Sequence, residues 1–190
     1  MAAVIALSGV EPVIPIASDK SYPDLYFRDG TLTYAVEAKR PATALSASKL
    51  LRKGASQLKT LRLHSGAIVM DVSECVGDAV IIHDGDAGAL SASFEVDFAT
   101  LAEVLEDLVW SDEAKRTLPG YEGVGVLLSY ARVIVWDRTD LRFPQLLQRC
   151  RFASFNNRGG QNLLWHRNDW LKRILYTGLE AAGYEMVRDQ

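Results

Sequence analysis

Asp29-Gly30 leaves the chain around it few conformations. It stands between Leu25 to Phe27 and Thr31 to Ala38, two stretches of strand character, and Asp-Gly favours the two-residue hairpin turns whose central residues need positive φ. With those two residues as the turn, Arg28 pairs with Thr31 and Asp24 stands opposite Ala35. Opposite residues of a hairpin share a face, and so do alternate residues along one strand. Asp24, Ala35, Glu37 and Lys39 are therefore expected on one side, with Asp24 and Glu37 as diagonal neighbours. Two carboxylates and an ammonium converge through strand geometry alone.

The next elements extend this unit. Pro41 ends the second strand, and residues 46 to 62 carry Leu51, Gly54, Ala55, Leu58 and Leu61 at the spacing of one helical face. Lys49, Arg52, Lys53 and Lys59 occupy the other faces. Residues 66 to 73, GAIVMDVS, then read as a buried strand, which completes a strand-helix-strand unit. Ahead of it, residues 2 to 8 and 13 to 17 suggest short extended segments.

Beyond residue 78 the pattern is looser. AVIIHDGDAGALSASFEVD suggests a second hairpin, and His83, Asp84 and Asp86 in its loop fit either turn chemistry or metal ligation. Phe98, Leu101, Leu105 and Leu108 mark an amphipathic helix with Thr100 and Glu103 at capping-box spacing. Residues 122 to 137 form one or two buried strands. FPQLLQRC and residues 161 to 187 are predicted as helices. Between them RFASFNNRGG mixes Arg151, Phe152, Phe155 and Arg158 with glycines, which suits a loop that grips phosphates and stacks on bases, or a plain connector.

With 190 residues, 48% of them hydrophobic and 24% charged, the chain is expected to form one soluble globular domain, residues 1–190. A net charge of -3 argues against coating nucleic acid through bulk charge but leaves room for a local patch. Charge is in fact segregated: Lys39 to Met70 contains Lys39, Arg40, Lys49, Arg52, Lys53, Lys59 and Arg62 without an acid, and Asp71 to Glu113 contains acids without Lys or Arg. These blocks are solvated faces that pair with each other, or surfaces for partners, the acidic one suiting a cationic protein. Cys75 and Cys150 are too few for a disulfide scaffold or a thiolate zinc site and point to a reducing, cytoplasmic setting. The apolar N-terminal stretch has no basic n-region and is broken by Glu11 and prolines, so neither a signal nor a membrane span is expected.

Pro23-Asp24 followed by Glu37-Ala38-Lys39 resembles the PD-(D/E)XK nuclease superfamily, over about residues 22–73. The resemblance implies an α/β, restriction endonuclease-like fold: a mixed β-sheet flanked by helices, here with additional C-terminal helices. It implies a metal-dependent nuclease hydrolysing phosphodiester bonds, in DNA by first reading. The alternatives are an RNA- or tRNA-cleaving toxin-type nuclease of this fold and a non-catalytic nucleic-acid- or protein-binding module. Mg²⁺, with Mn²⁺ as substitute, would be held by Asp24, Glu37 and the Ala38 carbonyl, since a hard cation takes oxygen ligands. Lys39 would orient or deprotonate the nucleophile, or offset charge in the transition state.

Gln57 matches a helix glutamine that helps position the site in some members, although the tyrosine found four residues later in one version is Leu61 here. The acid that many members place on a first helix has no clear counterpart, Glu11 and Asp19 being the only acids in that region. Arg40, Lys49, Arg52, Lys53, Lys59, Arg151 and Arg158 are the candidate nucleic-acid contacts. A homodimer would suit double-strand cutting.

Overall fold

A computed structural model of the chain describes residues 1–15, 22–60, 66–77, 80–83, 87–111, 116–118, 120–121, 123–137, 140–155 and 162–187. The first element, α1 (Ala2–Leu7), is helical where the sequence suggests an extended segment; it buries Ile5. The hairpin follows as β1 (Leu25–Asp29) and β2 (Leu32–Lys39), antiparallel, with Asp29 opposite Leu32 and Leu25 opposite Val36.

That register differs from the expected one. Gly30 and Thr31, not Asp29 and Gly30, form the turn, and Gly30 adopts φ 56°. Glycine tolerates positive φ without a Cβ penalty, so it takes the first central position. Each pairing moves by two residues, which preserves every face, and Asp24 falls opposite Glu37 rather than Ala35.

A crossover through α2 (Ala44–Thr60) leads to β3 (Gly66–Asp71), parallel to β2 with Glu37 opposite Ile68 and Lys39 opposite Met70. A short 3-10 turn, Ser73–Cys75, and β4 (Val80–His83) precede α3 (Ala87–Asp107). A minor hairpin, β5 (Trp110–Ser111) with β6 (Arg116–Thr117), connects to the long strands β7 (Val124–Asp137) and β8 (Asp140–Ser154). The helix α4 (Asn162–Ala181) and the edge strand β9 (Glu185–Met186) end the described fold. The large sheet runs β1-β2-β3-β7-β8-β9, and β4 lies parallel to the later half of β7.

Each face of this mixed sheet carries its own core. Ala35, Ile68, Met70 and Leu127 pack with Leu51, Ala55 and Leu58 of α2 and with Phe98 and Leu105 of α3. Leu25, Phe27, Tyr34, Val36, Ala67 and Val69 pack on the other face with Ile5 of α1 and Leu171, Leu175 and Leu179 of α4. The fold is thus α/β, with a mixed sheet between helical layers. Burial on both faces explains why β3 reads as one continuous apolar run.

Two more expectations are corrected. The stretch read as a second hairpin turns helical at Ala87, because Phe94, Phe98, Leu101 and Leu105 recur every three or four residues and line the core. Residues 143–150, read as a helix, belong to β8, so one helix rather than several closes the described chain. Pro144 is tolerated there because the β7–β8 register shifts between Val135 and Asp137, beside it, where no ladder N–H is needed. Among the described residues no helix is long and apolar enough to cross a membrane.

Candidate active site

Asp24 sits just before β1, and Glu37 and Lys39 project from the same face of β2. Lys39 Nζ donates to Glu37 Oε2 at 2.5 Å and to Asp24 Oδ2 at 3.3 Å. The same Asp24 oxygen accepts the Ala38 N–H at 2.7 Å. The three charges run from solvent to core: the side chain of Asp24 is 47% exposed, that of Lys39 11% and that of Glu37 0%.

The chain builds this arrangement through a proline. Tyr26 gives both backbone bonds to Val13 on the outer edge of β1, so the backbones of Leu25 and Phe27 face β2, and the same register carried past Leu25 would set Ala38 against Pro23. Pro23 has no N–H to donate. The ladder stops there, the Asp24 carboxylate takes the Ala38 N–H, and the Ala38 carbonyl receives no bond from β1. The opposite side of the site is made by a helix. A Cβ at Gly54 of α2 would lie 3.5 Å from Lys39 Cε and 3.4 Å from Ile68 Cδ1, so the helix closes directly over the lysine stem.

Burial pushes the Glu37 carboxyl up to about 7. The Lys39 hydrogen bond and charge pull against that, and the Asp24 charge adds to it. Glu37 Oε1 is buried with no hydrogen-bond partner, and an orphaned buried oxygen is costly. Asp24 and Glu37 are hard oxygen donors already bridged by one cation, the Ala38 carbonyl belongs to the residue between Glu37 and Lys39, and the chemistry of this donor set fits Mg²⁺ or Mn²⁺. Among the described residues no group of three His, Cys, Asp or Glu side chains gathers anywhere. A metal here would complete its shell with the carbonyl, water and substrate oxygens, as Mg²⁺ commonly does.

The other candidates are dispersed. Gln57 lies one turn beyond Gly54 on α2, half-buried with its Oε1 buried. With about 3.6 residues per turn, Lys49, Lys53 and Gln57 fall on one flank of α2. Arg52 and Lys59 fall on the other, where they line a cleft with Leu108 and Tyr121. Arg40 is exposed and pairs with Glu74 at 3.0 Å and Asp71 at 3.8 Å. Arg151 is 9% exposed and bonded to Glu106 at 2.9 Å and Glu103 at 3.3 Å, beneath α3 and apart from the lysine. Glu11 is exposed in the segment flanking β1, and His83 ends β4. Asp19, Asp84, Asp86 and Arg158 lie outside the described residues.

The acidic block is used within the chain as well: Glu95 pairs with Arg149 at 2.5 Å, as Glu103 and Glu106 do with Arg151. Two contributors carry only faint signals in the sequence, Pro23 as the ladder stop and Gly54 as the cover on Lys39. A glycine inside an otherwise apolar helical stripe was the available signal for the second. Comparison with protein-family models, with curated proteins and with solved structures finds no match.

Proposed function

We propose that this chain is a metal-dependent nuclease of the restriction endonuclease-like fold, acting on DNA in the cytoplasm. The observation that carries the reading is the single ammonium of Lys39 held between Asp24 and the fully buried Glu37, whose Oε1 is buried without a hydrogen-bond partner. A structural ion pair needs one acid; two acids on one cation, with an unused buried oxygen, suit a divalent ion better.

Asp24, Glu37 and the Ala38 carbonyl would hold Mg²⁺ or Mn²⁺. When bound, the metal supplies Lewis-acid charge and a water acidified toward hydroxide. The chain's own part is orientation and charge. Asp24, on the exposed side, faces the approaching backbone, and Glu37 anchors the site from the core. Lys39 presents its ammonium to the non-bridging phosphate oxygens, where negative charge grows in the transition state. Charge stabilisation needs only the position of the Lys39 nitrogen beside both carboxylates, so it is the role assigned. Gln57 supports the site from α2, and Lys49 and Lys53 on the same flank neutralise neighbouring phosphates.

The test is cleavage of single- and double-stranded DNA and of RNA, with Mg²⁺ and with chelator, by wild type and by Asp24→Ala, Glu37→Gln and Lys39→Ala. Wild type is expected to cut DNA only with metal, and each variant to lose at least about 100-fold, the scale of removing one transition-state charge contact. Preferential cutting of RNA would convert the reading to a ribonuclease. Cleavage by Lys39→Ala at the wild-type rate, or no cleavage by wild type, sinks it.

A further inference from the structure

The flank of α2 turned away from Lys39 borders a cleft of about 530 Å³, lined by Arg52, Ser56 and Lys59 from the helix and by Leu108, Leu118 and Tyr121 opposite. That volume lies in the range of small-ligand sites. Its chemistry is divided. Arg52 is exposed and makes no ion pair among the described residues, so its planar donor fork is available to an anion. Leu108, Leu118 and the ring of Tyr121 make an apolar wall. Tyr121 is only 7% exposed, and its hydroxyl is buried with no hydrogen-bond partner.

We propose that this cleft holds one nucleotide of the substrate strand, remote from the cut: phosphate on Arg52 and Lys59, sugar and base against Leu108, Leu118 and Tyr121. A phosphate joined to a flat, largely apolar body is the ligand that matches cations on one wall and an aromatic and leucines on the other. The identity of the strand rests on the nuclease reading above; the anion-plus-ring chemistry of the cleft does not. The cleft and Lys39 lie on opposite flanks of one helix, which is about 10–12 Å across. A stacked strand advances about 3.4 Å per nucleotide, so the gripped nucleotide sits about three or more positions from the scissile phosphate.

The experiment measures binding in chelator, where nothing is cut. The probes are a 5′-phosphorylated octadeoxynucleotide, a dinucleotide, thymidine 5′-monophosphate and inorganic phosphate. The proteins are wild type, Arg52→Ala and Ser56→Trp. Arg52 and Ser56 are both exposed, so neither change disturbs the core, and unchanged circular dichroism verifies folding. Both are expected to weaken the octamer and the dinucleotide at least tenfold, since either probe places one nucleotide in the cleft.

Equal octamer binding by wild type, Arg52→Ala and Ser56→Trp overturns the inference, as does no binding at millimolar probe. Monophosphate bound as tightly as the octamer overturns the strand assignment in favour of a free nucleotide. Inorganic phosphate bound as tightly overturns the nucleotide assignment. A wild type that binds through the cleft but cuts nothing overturns the nuclease reading and leaves the cleft standing.

Discussion

At Glu37 burial and charge pull in opposite directions, and the imbalance is measurable. Its carboxyl titrates at about 7 in the folded chain against an ordinary 4.5. Between those values the folded protein keeps a proton that the unfolded chain releases. The stabilisation is therefore complete below about pH 4.5 and lost as pH rises through 7, about 3 kcal/mol in all. Glu37→Gln cannot ionise and escapes that loss. In metal-free buffer with chelator, urea unfolding should find the variant close to wild type at pH 5 and more stable by about 2–3 kcal/mol at pH 8. A gap that stays constant between the two pH values would show that Glu37 is not the buried, proton-holding group described. Lys39 restrains the shift without abolishing it, since its ammonium reaches one carboxylate oxygen of Glu37 and leaves the other without a partner.

Two glycines in helices make opposite predictions at the level of elements. A Cβ at Gly178 of α4 would overlap the Val4 carbonyl oxygen of α1, so the two helices cross with no space for a side chain. Gly178→Ala must displace α1 and expose Ile5, a loss of about 1.5–3 kcal/mol for one large aliphatic side chain. Gly54→Ala meets Ile68 and Lys39 only at ordinary contact distance and gains helix propensity, about 1 kcal/mol of added stability. Urea unfolding of both variants checks the pair; equal effects of the same sign would contradict the packing described.

The same contrast explains how much could be read beforehand. The hairpin, α2 and β3 were legible because alternation, an Asp-Gly turn and a helical stripe are local signals. The convergence of Asp24, Glu37 and Lys39 followed from strand parity, which survived an error in the turn position. Residues 143–150 were not legible, since Leu146, Leu147 and Cys150 also suit a short helix. Pairing with β7 decides their strand state, and the carboxylates of α3 that hold Arg149 and Arg151 come from far along the chain. The docking of α1 on Gly178 is likewise invisible to any local pattern.

Over the whole molecule, one sheet separates two helical layers, and the candidate site opens at the edge where β1 begins and β2 ends. Net charge of -3 disfavours a polyanion in general, while α2 supplies cations on both flanks and the acids of α3 are partly spent on Arg149 and Arg151. Metal binding at this edge should therefore show as a gain in global stability. A ligand taken up only by the folded state adds RT ln(1 + [L]/Kd), about 2.7 kcal/mol at a hundredfold excess over Kd. For a chain of this length each kcal/mol moves Tm by about 2–4 °C, so saturating Mg²⁺ should raise it by several degrees. On the proposed reading metal and proton compete for the Glu37 carboxylate, so the rise should be larger at pH 8 than at pH 6, on either side of a carboxyl at about 7. Glu37→Gln should abolish the pH dependence and most of the rise, whereas Arg52→Ala, on the other flank of α2, should leave both intact. Equal Tm for wild type in Mg²⁺ and in chelator at pH 8 would remove the metal from the site, and with it the reason for two carboxylates to share one lysine.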